Sequence, residues 1–450
     1  MVSISGIRGV FGNGLDPEVL VRFTSGFASW CSTRADRPVV VLGRDARVTG
    51  PVCSDIVSAT LRACGCSVID LGLATTPTVE MAVIGMKAQA GIVLSASHNP
   101  AEWNALKLLN EKGEFLSPEE GEDVIRLSES GGNATVAWDE IGDTTPADYL
   151  DDHIRAITGL PFIEPEKIAS RRFKVVVDGI NSVGGIAIPA LLQALGLEDD
   201  RIIRLNCEPT GIFAHVAEPL PEHLGETMRA VRDWGADLGI VVDPDADRLA
   251  LIQDGGVYLS EELTQVVAAD FLWRFRSGPF VTNLSSSRAI EDVAARHGNE
   301  VYRSAVGEIN VVKKMQEVGA VLGGEGNGGV ILPDLHHGRD ALVGTAMVLQ
   351  HLANLEAKLS DVRDSLPTYH IVKQKTEIGD LDPDGLLTRM ADRYRDERIS
   401  TVDGVKIDFD EGWVHMRKSN TEPIIRVYSE ADTAEAARQL GVRFMRELLA

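Results

Sequence analysis

The sequence predicts an α/β protein of three similar mixed-sheet domains followed by a C-terminal α+β domain, all arranged around a central cleft. Three observations lead there. Short apolar, β-branched runs alternate with helical patterns in three successive blocks between residues 39 and 355, the rhythm of layered α/β structure. In each block a buried strand runs into a polar loop, and ligands bind at such strand ends in open α/β sheets. After Leu366-Pro367 the rhythm changes to several short strands and few helices.

The first block holds a strand at Val39-Val40-Val41-Leu42, a helix near Val52–Ala63 and a strand at Val68-Ile69-Asp70-Leu71. The run Gly91-Ile92-Val93-Leu94 then enters Ser95-Ala96-Ser97-His98-Asn99-Pro100. Residues 128–150, with Gly131-Gly132-Asn133 and scattered acids, read as a boundary. The second block opens at Lys174-Val175-Val176-Val177-Asp178 and ends where Asp237–Val242 enters Asp243-Pro244-Asp245-Ala246-Asp247-Arg248. The third has an apolar helix near Leu263–Trp273, a strand at Ala320–Gly323, the loop Gly324-Glu325-Gly326-Asn327-Gly328-Gly329 and a helix near Ala341–Leu355. The last region offers strands at Ile371-Val372, Gly404–Ile407, Trp413–Met416 and Ile424–Tyr428, then a helix at Thr433–Leu449. The expected domains are 1–145, 146–253, 254–365 and 366–450.

At 450 residues the chain has ample material for several cores. Its hydrophobic content of 44% and charged content of 25% are ordinary for a soluble globular protein. A net charge of −23 argues against nucleic-acid and anionic-membrane partners, which require broad basic surfaces. The five cysteines, Cys31, Cys53, Cys64, Cys66 and Cys207, form no CxxC pairs, so neither a disulfide framework nor a zinc site is indicated. Reduced, mostly buried thiols are expected. There is no basic-then-apolar leader and no apolar run approaching about 18 residues, so a soluble cytoplasmic protein is expected, monomer or homodimer.

Each loop has its own chemistry. Ser97 sits among a hydroxyl, an imidazole and an amide at a strand end, a candidate nucleophile or phosphate carrier. Asp243, Asp245 and Asp247 lie at i, i+2 and i+4 and repel one another unless a cation or ordered donors sit among them. Hard oxygen ligands on a short loop suit Mg²⁺. An EF-hand is excluded, because Arg248 and Asp254 stand where that loop needs Gly and Glu. Arg248 adds a phosphate-binding charge. The glycine-rich loop is neither a dinucleotide fingerprint nor a P-loop. Glycines admit a ligand close to the backbone, and Glu325 can accept two directional hydrogen bonds from sugar hydroxyls. The fourth loop, Arg417-Lys418-Ser419-Asn420-Thr421-Glu422-Pro423-Ile424-Ile425-Arg426, is a local basic cluster in an acidic chain. Its guanidinium groups suit phosphate, and Asn420 can adopt the left-handed turn of an anion-binding nest.

With these residues in view, the chain resembles the α-D-phosphohexomutases over essentially its whole length. Ser95 to Pro100 is similar to the family's T-A-S-H-N-P phosphoserine loop, Asp243 to Asp247 to its D-x-D-x-D magnesium loop, Glu325 to Gly329 to its G-E-x-S-G sugar loop, and Arg417 to Arg426 to its R-x-S-G-T-E-P…R phosphate loop. Ser5-Gly6-Ile7-Arg8-Gly9 resembles the N-terminal loop whose arginine approaches the serine, and Gly43-Arg44-Asp45 its G-R-D segment. Asn104-Ala105-Leu106-Lys107 resembles the segment with a lysine acting as general acid or base.

The resemblance implies a mutase interconverting hexose 6-phosphate and 1-phosphate through phosphoserine and a bisphosphate. Ser97, Lys107, His98 and Arg8 would be catalytic. Ser97 and the three aspartates would hold one Mg²⁺ per site. Arg248, Glu325, Asn327, Arg417, Ser419, Asn420, Thr421 and Arg426 would bind substrate. A hexose 1,6-bisphosphate would act as activator, and hinge motion of the last domain would close the cleft.

Departures fall in the sugar and phosphate loops. Many relatives have serine at position 327 and histidine at 329, where this chain has Asn327 and Gly329; Lys418 and Asn420 stand where Pro and Gly are frequent. His336 or His337 is either a substitute proton shuttle or a surface residue. The Glu-Gly-Asn-Gly-Gly form points to glucosamine phosphate, with glucose and mannose phosphates as rivals. From other classes, a sugar-phosphate phosphatase with Asp243 as nucleophile and a silent sugar-phosphate-binding homologue are the alternatives.

Overall fold

The computed structural model describes residues 2–3 (backbone only), 6–130, 135–419 and 423–450. Within it the chain divides into two compact units, residues 1–264 with 327–363 and residues 265–326 with 364–450. Four sheets follow in chain order, the first three α/β and the last antiparallel.

The first unit opens on a sheet centred on Val39–Arg44, flanked in parallel by Ser67–Leu73 and Ala90–Leu94. Trp103–Leu109 returns antiparallel beside Ala90–Leu94, and Gly6–Phe11 beyond it. Successive residues of the central strands serve opposite cores. Val40, Leu42, Ile92 and Leu94 pack with the helices Pro17–Ser32 and Gly50–Ala63, while Val41 and Val93 pack with Val79 and Val83 of the helix Thr76–Gly85. Burial on both faces is why these strands read as unbroken apolar runs rather than alternating ones.

A second sheet places Val175–Asp178 between Ile202–Leu205 and Leu238–Val242 in parallel. Leu249–Gln253 and Val257–Leu259 then add antiparallel strands. The helix Ala341–Leu355 is buried from Ala341 to Ala353 and packs on the helices Leu150–Thr158, Pro165–Ser170 and Gly184–Ala194. A helix apolar all round is a core element.

In the second unit, Phe280–Asn283 lies in parallel between Val301–Ser304 and Leu322–Glu325. The C-terminal sheet runs His370–Glu377, Ile424–Ala431, Gly412–Lys418, Val405–Asp408, Arg398–Ser400, antiparallel throughout. The helices Pro383–Arg393 and Ala434–Leu449 cover one face through Leu386, Leu387, Met390, Phe444 and Leu448.

Among the elements that depart from the sequence expectations, two have a clear local reason. Inside the 128–150 segment, Thr144–Pro146 pairs in parallel with Ser67–Leu73 as an edge strand. Its three residues are exposed, so no apolar pattern marks it. The helix Pro383–Arg393 occupies a stretch read only for strands. Asp382 caps it, accepting from Asp384 N and Gly385 N, and Pro383 starts it, so its first turn looks like a loop in sequence. Among the described residues the five cysteines are unpaired thiols, and no helix is long and apolar enough to cross a membrane.

Candidate active site

Ser97 leaves the buried strand Ala90–Leu94 in a left-handed conformation, φ 46°, uncommon for a residue with a side chain. Arg47 explains how that backbone is held. Its guanidinium, 0% exposed, donates to the carbonyls of Ser97 (2.6 Å), Asn99 (2.8 Å), Pro100 (2.5 Å) and Trp103 (3.0 Å). Its Nε donates to Asp45 Oδ2 at 3.0 Å. Ser95 Oγ donates to the same Asp45 oxygen at 2.7 Å and accepts from Ser97 N at 2.9 Å. Burial pushes the Asp45 carboxyl up, and Arg47 and Ser95 pull against it.

The Ser97 hydroxyl donates to Asp243 Oδ2 at 2.6 Å, which joins the first loop to the second. Leu238–Val242 ends at Asp243, and Ala246, also left-handed at φ 53°, folds the loop back so that Leu249–Gln253 can resume the sheet. Asp243 Oδ1 accepts from Asp247 N and Arg248 N, both at 3.1 Å. One carboxylate oxygen from each of Asp243, Asp245 and Asp247 lies within 4.8 Å of the other two, and all three residues are buried.

Cations and donors surround this triad. Lys107 Nζ lies 2.5 Å from Asp245 Oδ2 and 3.4 Å from Asp247 Oδ2. Thr76 Oγ1 donates to Asp245 Oδ2 at 2.5 Å, and Arg339 Nη2 to Asp247 Oδ2 at 2.7 Å. Arg248 Nε is 3.8 Å from Asp247 Oδ1. Burial pulls the Lys107 ammonium down, but Asp245 and Asp247 outweigh it and hold Lys107 charged. Burial pushes Asp247 up, and Arg339, Lys107 and Arg248 reverse that to well below the carboxylate range. Asp243 goes the other way: burial, then Asp247 and Asp245, drive it well up. Asp245 Oδ1 and Asp247 Oδ1 are buried without a hydrogen-bond donor. Buried carboxylate oxygens lacking donors, beside an acid forced toward neutrality, make a donor set that fits a hard divalent cation.

Two further residues named from sequence lie by the Ser97 loop. Arg8 Nη1 donates to Asn99 Oδ1 at 3.2 Å; its pKa is lowered by burial and by Arg248. His98 is pushed down to about 3 by burial and then by Arg248, so its imidazole is neutral. The first unit thus gathers Ser97, His98, Arg8, Lys107, Asp243, Asp245, Asp247 and Arg248. It also contains Asn327, whose Oδ1 accepts from Gly329 N at 3.2 Å.

The second unit carries the rest. Glu325, 3% exposed, ends the strand Leu322–Glu325 and accepts from Asn283 Nδ2 (2.9 Å) and Gly307 N (3.2 Å). Arg417 pairs with Asp403 at 2.9 Å, and Ser419 N donates to Ile424 O at 3.0 Å. Arg426 stands opposite Arg417 on one neighbouring strand and Lys375 on the other. Asn420 and Thr421 lie outside the described residues.

Four domain models of phosphoglucomutase/phosphomannomutase match in order: the alpha/beta/alpha domains I, II and III at residues 2–134, 151–256 and 260–369, and the C-terminal domain at 372–447. A Thermococcus kodakarensis protein named "Phosphoglucomutase/phosphomannomutase" is 36% identical, covering 99% of this chain and 98% of its own. The chain belongs to the phosphoglucomutase/phosphomannomutase family. A Methanopyrus kandleri protein named "Probable phosphoglucosamine mutase" is 34% identical over 98% of this chain and 96% of its own. The crystal structure of a Burkholderia thailandensis phosphoglucomutase/phosphomannomutase family protein superposes with a TM-score of 0.86 at 26% identity, over 100% and 98% of the two chains.

In this phosphohexomutase, sequence reasoning missed Arg47, Thr76 and Arg339. Arg47 lies two residues past the Gly43-Arg44-Asp45 segment, close enough that the segment was a signal for it. Arg339 follows His336 and His337 with no motif of its own to mark it. His336 is not a surface residue: it is 3% exposed, with Nδ1 2.9 Å from Glu80 and Nε2 3.4 Å from Asp340. Burial pulls its pKa down, but Asp340 and Glu80 raise it to about 10. His337 is half-buried, 3.6 Å from Glu114.

Proposed function

We propose that this phosphohexomutase interconverts hexose 6-phosphate and 1-phosphate through a phosphoryl group carried on Ser97, with glucosamine phosphate as the preferred sugar. The observation behind the carrier role is the Ser97 hydroxyl, 2.6 Å from a carboxylate of the acidic triad, on a backbone that Arg47 fixes. In the transfer the Ser97 Oγ–P bond breaks and a P–O bond to a sugar hydroxyl forms; the proton lost by that hydroxyl is balanced by the one gained at Ser97 Oγ. The sugar is then a bisphosphate, and returning its other phosphate to Ser97 completes the exchange. A free hexose 1,6-bisphosphate would prime the enzyme by the same chemistry.

The residues divide this work by charge. Lys107 is held as an ammonium, which suits the proton-donating half of acid–base catalysis. Neutral His98 offers one donor and one acceptor nitrogen with which to hydrogen-bond the reacting groups. Arg8 and Arg248 offer guanidinium groups to the phosphoryl oxygens. Asp243, Asp245 and Asp247, with Ser97, would hold one Mg²⁺, which supplies neutralisation of the phosphoryl charge. Glu325 and Asn327 would recognise sugar hydroxyls. Arg417, Ser419, Asn420, Thr421 and Arg426 would hold the phosphate that is not reacting.

The sugar rests on the Glu-Gly-Asn-Gly-Gly loop and on the name of the Methanopyrus relative. The Thermococcus relative's name favours a second reading, glucose and mannose phosphates. Discriminating an amine from a hydroxyl at C2 is within reach of one loop residue. The deciding experiment compares turnover of glucosamine-6-phosphate, glucose-1-phosphate and mannose-1-phosphate, each with Mg²⁺ and the matching 1,6-bisphosphate. A dominant amino-sugar rate supports the first reading, and comparable hexose rates the second. Release of inorganic phosphate that survives Ser97→Ala but not Asp243→Asn would overturn both in favour of a phosphatase.

A further inference from the structure

Gly329 and Arg339 compete for one volume. A Cβ built on Gly329 would sit 2.4 Å from Arg339 Cδ and 2.9 Å from its Cγ, closer than real carbon contacts allow. Gly329 is not among the positive-φ glycines, so the space taken by the arginine stem, not the backbone conformation, keeps this position bare. The stem passes through that gap, 8% of the residue remains exposed, and Nη2 reaches Asp247 Oδ2 at 2.7 Å.

The backbone behind Arg339 is fixed on both sides. Gly338 lets Glu80 approach so closely that a Cβ there would meet Oε2 at 2.0 Å. Asp340 N donates to Val330 O at 2.8 Å. The Asp340 side chain caps the helix Ala341–Leu355 through Leu342 N (2.8 Å) and Val343 N (3.2 Å). Its Oδ2 meets His153 Nε2 at 3.0 Å and His336 Nε2 at 3.4 Å. A long, rotamer-rich side chain is thereby anchored at its base, threaded through a glycine gap, and bonded at its tip to one oxygen of Asp247. The other oxygen, Oδ1, has no hydrogen-bond donor.

We propose that Arg339, admitted by Gly329, is a positioning residue of the phosphoryl-transfer centre: it orients Asp247 so that Oδ1 is presented to a divalent cation. This rests on the reading of the aspartate triad as a cation site. Outer groups that orient a metal-binding carboxylate change affinity or activity by about 10–100-fold when removed.

The test is a coupled set of variants of the full chain, probed with Mn²⁺ by electron paramagnetic resonance and by turnover. Arg339→Ala is expected to weaken Mn²⁺ binding about 10–100-fold and to lower kcat more than it raises KM. Arg339→Lys, which keeps a charge but not the fork, should recover part of both. Gly329→Ala should mimic Arg339→Ala by displacing the stem, and the double variant should be no worse than Arg339→Ala alone. Wild-type Mn²⁺ affinity in Gly329→Ala or in Arg339→Ala would overturn the proposal, as would losses in the double variant that multiply. Circular dichroism on each variant separates unfolding from mispositioning, and Arg339→Lys carries the test if Gly329→Ala does not fold. Because Mn²⁺ binding needs no sugar, full turnover by Ser97→Ala would defeat the mutase reading while leaving this proposal to its own result.

Discussion

The loops bearing Ser97 and Ser419 both pair a serine with arginines near a strand end, yet they use their charges in opposite ways. Around Ser97 the decisive guanidinium, Arg47, is wholly buried and its donors go to protein carbonyls and Asp45. Around Ser419 the cations lie in or near solvent: Arg417 is a quarter exposed beside Asp403, Arg426 is exposed, and Lys418 meets Asp384 on the surface. Lys375, Arg426 and Arg417 stand in one row across three strands, and like charges directly opposite one another destabilise a sheet. The first arrangement expends charge on holding a backbone; the second tolerates repulsion where an anion can relieve it. The same residue type is thus buried where it braces a backbone and left near solvent in the C-terminal loop.

The sharpest way to break this comparison is at Ser97, the proposed carrier. Ser97→Ala is expected to lower turnover by roughly 10⁴-fold or more, with the fold intact, as for loss of any group that carries the reaction covalently. Assay with bisphosphate activator checks it. Next comes Arg47→Ala, which strands Asp45 and four carbonyls in the interior and should cost about 3–5 kcal/mol, read from urea unfolding.

A pH series tests buried charge elsewhere in the first unit. His336 is raised to about 10 when folded against about 6.5 unfolded. Its contribution is therefore fully present below about pH 6.5 and is lost as pH rises through 10. The amount is on the order of 3–5 kcal/mol, and His336→Gln should flatten the slope of urea midpoints in that window. In the basic loop, Arg417→Ala should raise KM roughly 10–100-fold with little loss of stability. The smallest effect is expected from Lys418→Ala, within about 0.5 kcal/mol, since its ion pair with Asp384 is surface-exposed. A loss of several kcal/mol there would erase the contrast between the two loops.

What was legible in the sequence follows the same division. Apolar runs announce strands buried on both faces, so the central strands and the loops at their ends, with Ser97, the aspartates and Glu325, could be read locally. Thr144–Pro146 is exposed and the helix Pro383–Arg393 starts Pro-Asp-Gly, so neither carried such a signal. The residues that organise the centre were harder. Arg47 acts on Ser97 fifty positions away and Arg339 on Asp247 ninety-two positions away. Nothing local distinguishes Arg339 from a surface arginine, and only the nearby Gly43-Arg44-Asp45 segment marks Arg47. The gap at Gly329 was read as a missing histidine, because a sequence does not say which neighbour fills a space.

The left-handed backbone at Ser97 bears on which hydroxyl residue can stand there. Threonine could carry a phosphoryl group by the same bond, but at φ 46° its branched Cβ crowds the adjacent peptide. Tyrosine would carry its oxygen several ångströms beyond the reach that now ends at Asp243. Torsion thus disfavours threonine here and side-chain length disfavours tyrosine, so shape as well as nucleophilicity restricts which hydroxyl residue fits at position 97.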